Sequence, residues 1–94
     1  MAKQARDAGP INDLALLVEK KPDDHDSRFK FAQALHGAGQ VEEAVEQLLE
    51  LFKRDREWND GAAKSQLFII FEALEPNNTI VLNGRRKLSS LIFA

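Results

Sequence analysis

The sequence contains no cysteine. Disulfides, thiolate metal sites and thiol redox chemistry are therefore excluded within it, and a chain without thiols suits a reducing compartment. It has no apolar run approaching the ~20 residues that span a bilayer. Nor do residues Met1 to Pro10 hold the apolar stretch of a secretory signal. Charge of either sign is nearly balanced. Thirteen Lys and Arg stand against 15 Asp and Glu, giving a net charge of -2 and a pI near 5.6. Nucleic-acid-binding domains carry a clear positive excess, and membrane-surface anchors carry basic clusters, so neither partner is expected.

Candidate chemistry is equally sparse. His25 and His36 are the only histidines and do not share a metal-ligand spacing. Asp23, Asp24, His25 and Asp26 crowd together, but acids at a helix start serve the helix dipole more simply than they serve a metal. No pair of carboxylates stands out as a general acid and base. Arg85-Arg86-Lys87 follows a single glycine, Gly84, which is too little for a phosphate-cradling loop. A cluster pairing with Glu72 or Glu75 reads better; the functional alternative is contact with an acidic partner. No catalytic residue, cofactor or metal is expected.

What remains is a plain helical pattern. Ninety-four residues, 44% apolar and 30% charged, fit one small domain. A chain of that size buries roughly 60–65% of the surface its unfolded form exposes. The apolar spacing is helical throughout, with no period-2 stretch. The first segment runs from about Ile11 to Lys21, with Ile11, Leu14, Ala15 and Val18 on one face, and Pro22 ends it. Asp23-Asp24 supplies the next N-cap. The second segment reaches about Ala38, with Phe31, Ala32 and Leu35 inward and Gly37 and Gly39 closing it. The third is the clearest: Val41, Ala44, Val45, Leu48, Leu49 and Phe52 form the stripe, and Glu42, Glu43, Glu46 and Glu50 take the other face. The fourth runs from near Asp60 to about Leu74. Its apolar residues, Leu67 to Phe71 and Leu74, cover more than one side, as in a helix that is buried on several sides or meets a partner. The fifth runs from about Thr79, with Val81, Leu88, Leu91 and Ile92 as its stripe; Asn77-Asn78-Thr79 reads as helix-start chemistry rather than as a glycosylation site.

The stretch SRFKFAQALHGAGQVEEAVEQLLELFKRD resembles a tetratricopeptide repeat, a 34-residue helix pair. Ala32, Leu35, Gly39, Ala44 and Leu48 fall at its positions for small, large, glycine, alanine and large residues. Pro22 matches the closing proline of a preceding repeat. Arg56 replaces the next one, Arg28 stands where the consensus has tryptophan, and Leu51 replaces an alanine. A longer match, RFKFAQALHGAGQVEEAVEQLLELFKRDREWNDGAAKSQLFIIFEAL with GRRKLSSLIF, is similar to the C-terminal domain of thioredoxin-like co-chaperones, the chaperedoxins. It covers about Asp23 to Phe93 and departs from the family at EPNNTIVLNGRR.

That resemblance implies an all-α fold of about five antiparallel helices in a short, right-handed, tetratricopeptide-like array over residues 1–94. It further implies a C-terminal piece of a longer bacterial, cytoplasmic protein whose thioredoxin half lies elsewhere. The implied function is protein–protein interaction, as the client- or partner-binding module of a holdase. The implied partners are unfolding clients, other chaperones and the parent's own thioredoxin domain. A structural docking or homodimerisation role is the alternative. The lone tryptophan, Trp58 in RDREWNDG, lies at the junction of the third and fourth helices and fits best as a wedge between helices, with Asn59 or Asp60 capping the fourth; an exposed binding anchor is the other reading. The candidate partner-binding residues are Phe29, Trp58, Phe68, Arg85 and Arg86. Leu16 and Phe93 also lie off the inward stripes.

Overall fold

The computed structural model describes residues 2–93, with side chains from Ile11 onward. Five α-helices follow one another: α1 (Ala2–Lys20), α2 (His25–Gly37), α3 (Val41–Arg54), α4 (Ala62–Ala73) and α5 (Thr79–Ile92). A single 3-10 turn, Trp58–Asp60, precedes α4, and the described residues contain no strand. The helices expected from the apolar spacing are observed, and their packing is consistent with the tetratricopeptide-like array that the resemblance implies. Helix α1 packs on α2, α2 on α3 and α3 on α4, while α5 packs back against α3. The body measures 43 × 31 × 18 Å, so it is about two helices thick.

Helix α1 begins nine residues before Ile11, where the apolar stripe starts. Alanine, lysine, glutamine and arginine in its first turns are good helix formers, and a search for an apolar face passes over them. The chain turns at Lys21–Asp24. Asp24 caps α2 as expected, accepting hydrogen bonds from the Ser27 N–H at 3.3 Å and the Ser27 hydroxyl at 2.9 Å. At the other end of α2, Gly39 takes φ +85°. The Gln40 N–H then reaches the Leu35 carbonyl at 2.9 Å and the Gly39 N–H reaches that of His36 at 3.0 Å. This is a Schellman closure, and the left-handed residue at its corner is why glycine sits there.

The core runs along α3. Val45, Leu48, Leu49, Leu51 and Phe52 meet Ala32 from α2, Leu67, Ile70 and Phe71 from α4, and Val81 and Leu88 from α5. The stripe read from spacing is correct but too narrow, since Leu51 is also fully buried. A helix flanked by α2, α4 and α5 has to bury more than one face. Helix α5 starts on Asn78, whose side chain accepts from the Ile80 N–H at 2.8 Å, in keeping with the helix-start reading of that triplet. Further along, Gly84 is buried, and a Cβ on it would lie 2.7 Å from the Phe71 ring. Its missing side chain is what lets the Phe71 ring reach the α5 backbone.

Candidate functional site

Three places bring polar or aromatic side chains together. The first is the α1–α2 turn. Arg28, only 6% exposed, donates from Nη1 to Gln47 Oε1 at 2.8 Å and from Nη2 to the Pro22 carbonyl at 3.3 Å. Arg54 reaches the same carbonyl at 3.4 Å and pairs with Asp23 at 3.2 Å and Glu50 at 2.6 Å. Burial, and then the neighbouring Arg54 charge, holds the Arg28 guanidinium below its ordinary pKa; Glu50 and Asp23 act in the opposite sense. The acids of residues 23–26 therefore serve separate tasks: Asp23 pairs with Arg54, Asp24 caps α2, and Asp26 pairs with Lys30 at 3.1 Å. No group of three metal-ligating side chains forms among the described residues.

The second place is the α3–α4 junction. Trp58 is half-buried, packed against the core and against α2. Its ring lies 5.4 Å from that of Phe29 and 6.4 Å, edge-on, from that of His25. Two of the candidate binding residues, Phe29 and Trp58, are thus each other's neighbours. Neither Asn59 nor Asp60 caps α4. Their φ angles are +49° and +57°, and Gly61 follows at +77°. An N-cap side chain needs extended backbone to turn its oxygen back onto the helix, and three left-handed residues in succession rule that out. Arg56, in the place of the repeat's closing proline, stacks 5.2 Å over Phe52 and donates to the Leu91 carbonyl at 3.0 Å. It ties the junction to the last turn of α5.

The third place is the face shared by α4 and α5. Phe68 is 37% exposed and Ile69 56%, while Leu67, Ile70 and Phe71 turn inward. Lys64 sits 5.9 Å from the Phe68 ring centre, Phe68 meets Phe71 edge-on at 6.4 Å, and Arg85 covers the Phe71 ring at 5.5 Å. The structure thereby joins Phe68 and Arg85. Arg86 is exposed on the next position of α5. The expected pairing of the 85–87 cluster with Glu72 or Glu75 is not what forms. Lys87 bonds Glu46 on α3 at 2.7 Å, because α5 lies along α3. Among the described residues no ion pair uses Glu72 or Glu75. Beside the Lys87–Glu46 pair, a cleft of about 360 Å³ opens between α3 and α5, lined by Leu49, Glu50, Lys53, Ser90 and Leu91.

Lys64 was not picked out from the sequence, and Phe71 was read only as one of the apolar residues of the fourth helix. The Lys-x-x-x-Phe spacing of 64 and 68 was visible, one turn apart on a helix. The contact of Phe71 with Arg85 depends on how two helices cross, and no local pattern carries that.

Residues 4–93 match the family model described as tetratricopeptide repeat. No curated protein and no solved structure matches the chain. No helix among the described residues is long and apolar enough to cross a membrane.

Proposed function

The chain belongs to the tetratricopeptide repeat family, and from that premise we propose that it is a client- or partner-binding module of a thioredoxin-like co-chaperone, acting as a holdase. Family membership points to protein–protein interaction, since such helix stacks present extended surfaces for other chains and are interaction modules rather than catalysts. The observation that carries the finer reading is the exposed apolar set. With a well-filled core around α3, the fold still leaves Leu16, Leu17, Phe68, Ile69, Leu82 and Phe93 facing outward. Exposed apolar groups in such numbers suit a surface that takes up unfolding chains, whose own apolar groups are uncovered. Phe68, Arg85 and Arg86 are assigned to partner contact. Phe29 and Trp58, with ring centres 5.4 Å apart, shape the array that presents it.

The test is light scattering from a heat-unfolded client protein with this domain added at rising ratios. Suppressed aggregation near equimolar ratio is the expected result. No suppression by the folded domain overturns the client-binding reading. It leaves the docking or homodimer role, which solution mass at several concentrations would reveal.

A further inference from the structure

The α4–α5 face has an order of its own: cation, ring, ring, cation. Lys64 stands over Phe68, Phe68 against Phe71, and Arg85 over Phe71. The chain enforces this order. Lys64 and Phe68 are one turn apart on α4. Gly84 admits the Phe71 ring to the α5 backbone, so the following residue, Arg85, is the one that closes over it. Leu82, 52% exposed, lies three residues before Arg85 and four before Arg86, on the same side of α5. None of Lys64, Arg85 and Arg86 joins an ion pair among the described residues. In a chain of net charge -2, Lys64, Arg85 and Arg86 outnumber the nearby Glu72 and Glu75 and leave this face net positive.

We infer that this face docks an acidic–apolar peptide segment. A leucine or phenylalanine of the partner seats against Phe68 and Leu82, and Asp or Glu on either side meets Lys64 and the Arg85–Arg86 pair. The inference rests on the interaction reading above and supplies the chemistry of its partner. The path from Lys64 over the exposed Phe68 ring to Arg85 is within reach of about five or six extended residues. Cations already held over aromatic rings retain less freedom to lose when an anion arrives. A peptide fits better than a nucleic acid. Glu72 lies one turn beyond Phe68 on α4 and Glu75 soon after the helix ends. A strand with a phosphate at every step meets those acids, whereas a peptide places its charges only where the cations are.

The test is fluorescence anisotropy with a labelled eight-residue peptide bearing a Leu-Phe pair flanked by glutamates. Three companions are used: the same peptide with lysines for glutamates, one with serines for the Leu-Phe pair, and a single-stranded DNA oligonucleotide. Expected is binding of the acidic–apolar peptide alone, weakened by added salt. The double variant Lys64→Glu, Arg85→Glu should lose affinity about tenfold or more. Lys30→Glu, on α2, should not. Because Arg85 covers Phe71, folding is checked by circular dichroism; Lys64→Glu alone, at an exposed position, keeps the test decisive if the double variant unfolds. The inference is overturned by no binding, by equal binding of the lysine or serine peptide, by tighter binding of the oligonucleotide, or by affinity indifferent to Lys64→Glu. Suppressed client aggregation without peptide binding sinks this inference and spares the holdase reading; peptide binding without suppression does the reverse.

Discussion

The two junctions that bracket the α2–α3 pair are held by opposite means. At the α1–α2 turn the grip is polar: Arg28 and Arg54 converge on the Pro22 carbonyl, and Asp24 caps α2. At the α3–α4 junction it is apolar: Trp58 lies against Phe29 and His25 while three left-handed residues turn the backbone. Each junction is pinned by the helix it does not join, the first by α3 and the second by α2. The polar grip can be loosened by protonation and salt; the apolar one answers to loss of contact area. On that contrast we propose that Trp58, set against Phe29 and His25 of α2, serves the architecture rather than a partner.

Removing the wedge should break the comparison most. Trp58→Ala is expected to cost about 2–4 kcal/mol, measured by urea denaturation, with little dependence on salt. At the other junction, Arg28→Ala strips partners from Gln47 and the Pro22 carbonyl in a buried place and should cost about 2 kcal/mol. Arg28→Met should recover part of that, because an apolar side chain fills the volume without bringing a charge. Gly61→Ala forces a side chain into φ +77° and should cost about 1–2 kcal/mol; the same change at Gly37, which has open space and an ordinary φ, should be near neutral.

The smallest effect is expected from acid. Hydrogen bonds from the Ser27 hydroxyl and then its backbone N–H hold the Asp24 carboxyl below its ordinary pKa; desolvation opposes them, and Lys21 and Lys30 add to them. A lowered folded-state pKa means the stabilisation is present above the unfolded value and is lost as pH falls through the folded one. The melting temperature should therefore begin to fall as the pH drops below about 4. Asp24→Ala should remove that increment and start from the lower value.

How far the sequence could be read follows the same divide between local and crossing contacts. Helix α3 was legible nearly residue for residue, since one amphipathic stripe and two glycines bound it. The caps at Asp24 and Asn78 were legible because capping is a contact over two or three residues. Leu51 was not, because its burial comes from helices on several sides. The capping role given to Asn59 and Asp60 failed because their residue types suit a cap and a left-handed turn equally, and the wedge of Trp58 selects the turn. At the candidate site, Phe68 could be singled out as an off-stripe residue and Arg85 as part of a basic cluster, but their meeting through Phe71 needs the missing Cβ of Gly84.

The central claim is that partners bind on the α4–α5 face while both junctions only hold the array. The most direct measurement is the amide and indole NMR spectrum of the isotope-labelled domain as an unfolded client is titrated in. The account predicts shifts confined to Lys64–Ile69 and Leu82–Arg86, with the Trp58 indole unmoved. Shifts centred on Trp58 and Phe29, or none at saturating client, would contradict it.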